Sequence, residues 1–256
     1  MPEIRGIFLG TGTSQGIPVI ACDCHVCTSP DAKDKRLRSS FLLELPAGNV
    51  VIDTGPDFRQ QMLSNEVKRL DAILYTHEHK DHVAGMDDVR AFNFKMKKDM
   101  EVYATENVQK ALKREFHYVF EAVRYPGVPR VNLNTITTNS FELLGEEIIP
   151  ILVYHYKLPV LGFRVRNFAY ITDAKTIPEE EKLKMKDLDI LVLNALRKEP
   201  HMSHLTLEEA LELIYELKPK KAYLTHISHL FGRHAEDHGL PDHVEIAYDG
   251  LTIDIA

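Results

Sequence analysis

Short apolar runs bounded by turn residues recur along both halves of the chain, and each predicts a strand. Residues 3–9 are the first. Residues 39–45 and 49–52 predict a hairpin joined by Pro46-Ala47-Gly48. Residues 72–75 and 101–104 are two more short strands. In the second half, 147–154 is a strong strand, a hairpin follows at 161–165 and 168–172, and 188–193 and 222–225 are buried strands. The end of the chain, 244–247 and 251–255, reads as a closing hairpin around Asp249-Gly250. Helical spacing appears elsewhere. Val108, Ala111, Leu112, Phe116, Val119 and Phe120 share one face of a helix over 105–120, which makes His117 a surface or packing histidine. Residues 205–217 are amphipathic, with Thr206 as N-cap three residues before Glu209. Asp57 precedes a helix beginning at Phe58, and 83–90 predicts a helix with His82 at its start. Residues 124–134 carry turn chemistry without a period, as a connector or a pocket-lining loop. No repeat, low-complexity segment or linker divides the chain. The pattern predicts one domain, 1–256, of the layered α/β class, with β-rich halves and helices outside.

Composition narrows the function classes. The 256 residues are 44% hydrophobic and 27% charged, enough to bury a core. A net charge of −7 argues against a stable nucleic-acid partner held by long-range attraction. Bound divalent cations would offset that charge locally, so an anionic substrate remains compatible. The start, Met1-Pro2-Glu3-Ile4-Arg5, does not read as a secretory signal, and no apolar stretch approaches the roughly 20 residues that span a bilayer. The expectation is a cytoplasmic protein with no membrane contact. Its oligomeric state is not written in the sequence, and a homodimer is compatible with it.

Two clusters carry chemistry. In Thr76-His77-Glu78-His79-Lys80-Asp81-His82, four metal-competent side chains follow the strand at 72–75. Imidazole and carboxylate suit zinc, manganese or iron. Neighbouring side chains in a turn point different ways, so the spacing suits two adjacent ions, His77 and His79 on one, Asp81 and His82 on the other. A histidine-rich surface turn is the alternative. The second cluster is Cys22, Cys24 and Cys27, all the cysteines of the chain. An odd count argues against a disulfide framework. Three thiolates at this spacing form most of a tetrahedral zinc site. His25 is too constrained to complete it, and His229 is the candidate fourth ligand. The loop Gly10-Thr11-Gly12-Thr13-Ser14-Gln15-Gly16 lacks the Gly-Lys-Ser/Thr ending of a phosphate loop and reads as a tight turn.

The motif His77-x-His79-x-Asp81-His82 after a strand resembles the signature of the metallo-β-lactamase superfamily. The resemblance implies a four-layer αβ/βα sandwich with a metal site at one edge of two facing sheets. It implies a dinuclear centre with His77, His79 and His155 on one ion, Asp81, His82 and His226 on the other, and Asp173 bridging both. It further implies that Asp53 is a buried carboxylate orienting the histidine motif, and that the glycine-rich loop lies beside the metal pocket. The cysteine trio with a late histidine resembles the PhnP-type phosphodiesterases, whose members open ribose cyclic phosphates such as 5-phosphoribosyl 1,2-cyclic phosphate and 2′,3′-cyclic nucleotides. On that resemblance the cofactors are two catalytic ions, Mn or Zn, and one structural Zn at Cys22, Cys24, Cys27 and His229. A metal-bound hydroxide is the nucleophile, Asp81 and Asp173 hold the catalytic metals, and His204 protonates the leaving alkoxide, a role that suits a near-neutral imidazole. The substrate partner is a small phosphodiester.

Three other functions remain open. They are thioester hydrolysis of the glyoxalase II kind, tRNA 3′-processing, and a metal-dependent binding module without turnover. The tRNA-processing relatives carry a long arm between the third histidine and the bridging aspartate, and only 17 residues separate His155 from Asp173. Arg90 and Arg197 are weak candidates for phosphate contact. Asn194 stands where many relatives carry an acid, which leaves the role of that position open.

Overall fold

The computed structural model describes residues 3–123 and 125–255. Met1 and Pro2, on which the reading of the N-terminus partly rests, Arg124 at the start of the period-free segment, and Ala256 lie outside the described residues. Among the described residues, fourteen strands form two seven-stranded sheets. The first contains β1 (Ile4–Gly10), β2 (Ser40–Leu45), β3 (Gly48–Ile52), β4 (Ala72–Leu74), β5 (Met100–Ala104) and β6 (Val131–Thr135). The second contains β7 (Phe141–Leu143), β8 (Glu146–His155), β9 (Leu158–Val165), β10 (Phe168–Ile171), β11 (Ile190–Asn194), β12 (Lys221–Thr225) and β13 (Val244–Ile246), and β14 (Thr252–Ile255) returns to the first. The orders are β14-β1-β2-β3-β4-β5-β6 and β13-β12-β11-β10-β9-β8-β7.

Each sheet is antiparallel at one end and parallel at the other. Strands β3 to β6 pair in parallel, as do β10 to β13. Parallel neighbours need crossovers, and helices supply most of them. These are α1 (Phe58–Ser64), α2 (Lys80–Val83), α3 (Arg90–Met96) and α4 (Glu106–Glu115) in the first half, and α5 (Glu179–Lys182) and α6 (Leu207–Leu217) in the second. Among the described residues, three large apolar clusters follow, besides a small one of Ile17, Val26 and Cys27. One lies between the sheets, centred on Phe41, whose ring meets Phe8 at 4.9 Å and Phe168 and Tyr170 at 5.2 Å. Gly6 makes room for it, because a Cβ there would stand 2.4 Å from the Phe41 ring. The other two pack α1, α3 and α4 on the outside of the first sheet and α6 on the outside of the second. The result is the four-layer αβ/βα sandwich that the resemblance implies.

Three local expectations need correction. The end of the chain is no hairpin, since β13 pairs with β12 and β14 with β1, in different sheets. Asp249 is a crosslink there, accepting from the backbone N–H and hydroxyl of Thr11 and from Leu37 N–H at 2.6–2.9 Å. The helix expected over 83–90 is broken into α2, a 3-10 turn over Met86–Val89, and α3. Gly85 marks the break, because its N–H donates to Thr54 O and a Cβ there would sit 2.2 Å from Gly55 O. The period-free segment ends in an edge strand, β6, and β7 follows it. The Thr206 cap is as expected, with a full capping box to Glu209. Asp57 does precede α1, but its carboxylate binds Arg38 instead of capping the helix.

Candidate metal centre

The C-terminal ends of parallel strands are where open α/β sheets place their ligands, and this chain uses them in both sheets. Asp53 follows β3, the histidine motif follows β4, Asp173 follows β10, and His226 follows β12. His155 ends β8. Asp53, Asp173 and His226 each have positive φ (63°, 57° and 56°). An L-residue held there is strained, and such strain collects at functional sites. Here it turns each side chain out of the strand direction and into the space between the sheets.

Asp173 is the common member of three donor groups: with His77 and His79, with His82 and His226, and with His155 and His204. Within each group the donor atoms lie within 4.8 Å of one another. Asp173 Oδ2 stands 3.7 Å from His77 Nε2 and 3.4 Å from His82 Nε2, and its Oδ1 stands 3.1 Å from His226 Nδ1. Asp81 approaches from the side, its Oδ2 3.2 Å from His82 Nε2. His77 and His82 are fully buried, while His79 is exposed and His155 half-buried, so the His79–His155 side opens to solvent.

The partners behind the imidazoles set their tautomers. His82 Nδ1 donates to Asp53 Oδ2 at 2.7 Å. Asp53 also accepts from Thr76 N–H and Thr76 Oγ1, and that hydroxyl in turn accepts from His77 Nδ1 at 2.9 Å. His155 Nδ1 donates to Ser203 O at 2.8 Å. Ser39 Oγ donates to Gly12 O and so accepts from His226 Nδ1, 3.0 Å away. In His77, His82 and His155, holding Nδ1–H in this way leaves the Nε2 lone pair for a metal, the usual arrangement behind a metal-binding histidine, whereas His226 turns Nδ1 to Asp173 and Nε2 to Thr13 Oγ1. Among the described residues, Nε2 of His77 and of His82 are buried and have no hydrogen-bond partner. Buried, unpaired nitrogens facing a shared carboxylate fit divalent metal ions and would be costly otherwise.

Charge reinforces that fit. Burial alone would push Asp173 up, yet His226, His82 and His77 hold it well below the ordinary carboxylate range. Burial would push His82 down, but Asp173, Asp81 and Asp53 overturn this and raise it, so these carboxylates favour a cation at His82, and a metal ion bound there would displace its proton. His77, with burial as its main influence, is pushed well down, which keeps it neutral as a ligand must be.

His204 lies just before the N-cap of α6, buried, with its ring 4.8 Å from His226 and 4.4 Å from His155. It therefore lies against the clustered donors. The near-neutral titration expected of it does not follow, because burial and then His226 push it down to about 2. Arg197 lines the cleft beside His204. Arg90 does not, and pairs instead with Asp87 on the helix surface. The glycine-rich loop is a turn, with Gly16 N–H donating to Thr13 O, and it borders the same cleft. Thr13 Oγ1 is 3.2 Å from His226 Nε2.

The cysteines converge as well. The sulfurs of Cys22, Cys24 and Cys27 lie 3.3, 3.4 and 3.6 Å from His229 Nδ1. Backbone N–H groups of Cys27 and Val19 donate to the sulfurs of Cys24 and Cys27. The Cys24 thiol is lowered to about 6, chiefly by that N–H, whereas burial raises Cys27 to about 11. Three sulfurs around one imidazole nitrogen are the donor set of a closed tetrahedral zinc site.

Several positioning residues had no sequence signal. Ser39, Thr76 and Ser203 act only through the imidazoles they touch. Asn194 is another. Its amide oxygen accepts from Ala174 N–H at 2.8 Å and its NH₂ donates to Ala174 O at 3.0 Å, clamping the residue after Asp173. An ionised carboxylate has no donor for the second bond. Asn194→Asp should therefore cost about 1–3 kcal/mol of stability, the penalty of an unsatisfied buried polar group. A shift in the urea midpoint at constant slope would report it, and an unchanged midpoint would deny the clamp.

A sequence model described as "Beta-lactamase superfamily domain" matches residues 48–227. Among curated proteins, an octanoyltransferase of Porphyromonas gingivalis is 40% identical over 97% of this chain. The chain spans about half, 51%, of that protein's length. Among solved structures, a diphosphatase of the PhnP family superposes with a TM-score of 0.93 at 38% identity, covering 99% of this chain and 97% of its own. Zinc-bound PqqB from Methylobacterium extorquens superposes with a TM-score of 0.80 at 18% identity, covering 98% of this chain and all of its own, a likeness of fold alone. The chain belongs to the beta-lactamase superfamily, with the fold of its metal-dependent hydrolases and clustered His and Asp side chains that could hold a metal.

Proposed function

We propose that this hydrolase cleaves small phosphodiesters, ribose cyclic phosphates foremost. The observation that carries the reading is the position of His204, stacked on His226 and beside His155 at the rim of the Asp173 cluster. Divalent ions held by His77, His79, His155, Asp81, His82, His226 and a shared Asp173 would activate water and neutralise phosphate charge. The protein's own part is orientation and proton supply. Asp53, Thr76, Ser39 and the Ser203 carbonyl fix the imidazoles. His204 supplies a proton to the departing sugar oxygen. Burial holds it neutral without substrate, and the negative charge of a bound phosphodiester would favour an imidazolium that takes its proton from solvent.

The PhnP-family diphosphatase supports phosphate chemistry on a chain matched nearly end to end. Acyl transfer is not carried over from the octanoyltransferase, of which this chain covers half. Between His155 and Asp173, β9 and β10 occupy most of the chain, and the turns that remain are too short for an arm that grips tRNA. Adenosine 2′,3′-cyclic phosphate incubated with the metal-loaded protein and followed by ³¹P NMR should open to a phosphomonoester. No opening, alongside hydrolysis of a glutathione thioester, would replace this reading with thioester hydrolysis.

The cysteine site is a separate matter of stability. Cys24→Ser should remove about one zinc per chain, and each kcal/mol of lost folding energy should lower Tm by about 2–4 °C. Unchanged zinc content and Tm would remove the structural-zinc assignment.

A further inference from the structure

His204 differs from the histidines around it. It is only 8% exposed, yet its Nδ1 is buried without a hydrogen-bond partner among the described residues. His77, His82 and His155 each have an oxygen behind Nδ1. His204 has none, and a buried nitrogen left unsatisfied costs free energy until something binds it.

The position of the ring is built in. Ser203, the residue before it, accepts from His155 Nδ1 at 2.8 Å. Leu205, the residue after it, donates its N–H to Ala174 O at 2.9 Å, and Ala174 follows Asp173. One short stretch is thereby pinned to the strand end that carries His155 and to the one that carries Asp173. The outcome is a donor group of His155, Asp173 and His204, with one ligand atom from each within 4.8 Å of the others. The His155 ring is 4.4 Å from His204, against 5.1 Å from His79 and 6.0 Å from His77.

We infer that His155, Asp173 and His204 form a third divalent-metal site, additional to the two of the catalytic centre, which takes zinc and inhibits. Two imidazoles and a carboxylate are a common three-ligand set for zinc, with water as the fourth ligand. The cleft that His204 lines gives the ion its path from solvent. One imidazole nitrogen binds one ion, so a third ion draws His155 from its expected partner. His77, His79 and Asp173 still form a group of three donors without it. The two carboxylate oxygens have lone pairs enough to serve again. Shared ligands and neighbouring cations weaken the site, so it fills only when zinc is in excess. Manganese, lower in the order of divalent affinities, leaves it empty at the same concentration. An imidazole bound to metal cannot also become the imidazolium that donates a proton, so the ion disarms His204. That inhibition rests on the phosphodiesterase reading above; the metal site itself does not.

The test titrates the protein with zinc alone and reads bound metal by equilibrium dialysis and mass spectrometry. The wild-type protein should show a second, weaker phase of about one ion per chain after the catalytic and cysteine sites are full. His204→Ala should fill those sites equally and lack the second phase. His204→Asn, which keeps a polar side chain in that place, should do the same and serves if the alanine protein folds poorly. A second phase that survives both substitutions is metal held elsewhere and overturns the site, as does a wild-type titration without one. Turnover forms the second arm. Raising zinc from stoichiometric to excess should cut alkyl phosphodiester turnover about 100-fold and leave bis(4-nitrophenyl) phosphate turnover within about 3-fold, because nitrophenolate departs without a proton. The same excess of manganese should change neither. Equal inhibition of both substrates, or of neither, overturns the capture of the proton donor. If the His204-dependent ion binds but no phosphodiester is cleaved, the site stands and the phosphodiesterase reading falls. If phosphodiesters are cleaved and no His204-dependent ion binds, the reading stands and the site falls.

Discussion

His204→Ala is expected to keep its metal content and lose about 10²–10⁴ in kcat on alkyl phosphodiesters, the usual size of general-acid catalysis. The ring contacts His155 and His226 without sharing a hydrogen bond with either, so its removal leaves the Ser203 and Ser39 anchors of those histidines intact. Metals can activate water and stabilise charge on phosphorus. They do less for a departing sugar alkoxide, which needs a proton. The loss should therefore shrink when the leaving group is nitrophenolate, which departs without one. Two alternatives make different predictions. If His204 only packs against the start of α6, the variant loses stability and kcat falls little. If it positions the phosphate, alkyl and nitrophenyl esters lose equally. His201 competes for the acid role from the same loop, with its ring 5.2 Å from His204. A loss of comparable size in His201→Ala, retained with nitrophenyl esters, would point to positioning for that residue.

Asp173→Ala should have the broadest effect on metal content. Its carboxylate belongs to all three donor groups, so its loss opens every one of them. Losing a partner behind a metal ligand typically costs about 10–100-fold in affinity, and a shared ligand should cost more. The variant also removes the carboxylate that faces His77 Nε2 and leaves His82 Nε2 with Asp81 alone. Mass spectrometry of the dialysed protein should find the catalytic ions depleted while the zinc of the cysteine site stays. Exposed His117 is the control, and His117→Ala should lose neither. Retention of both catalytic ions in Asp173→Ala would mean that the ions are not bridged by this residue.

Much of the centre was legible because its donors announce themselves locally. Four of them crowd into 77–82, and the cysteines into 22–27, so composition alone marked both places. His155, Asp173 and His226 were legible from their positions at strand ends, once the resemblance supplied facing sheets. What stayed hidden acts across long sequence distances through ordinary residue types. Ser39 reaches His226 over 187 positions, and nothing near Ser39 distinguishes it from any buried serine. Asn194 looked like a departure from the expected acid, and only its two bonds to Ala174 reveal why an amide serves there.

The fold was misread where local signals competed with distant pairing. Asp249-Gly250 has hairpin chemistry, but β13 and β14 find partners in separate sheets, and the Asp249 carboxylate is spent on Thr11 and Leu37. In β6, alternation over 131–135 was masked by Pro126, Gly127 and Pro129 just upstream. The break at Gly85 depends on the approach of Gly55, a contact no helical period encodes. Strand ends were legible to within a residue or two because apolar runs stop where the metal-facing residues begin.

The most direct measurement is a paired assay of one metal-loaded preparation on bis(4-nitrophenyl) phosphate and on a glutathione thioester, repeated after chelation and after return of manganese or zinc. The account predicts phosphodiester turnover that disappears on chelation, returns with the metal, and exceeds thioester turnover. Metal-dependent turnover of the thioester alone, or phosphodiester turnover that survives full removal of the catalytic ions, would contradict it.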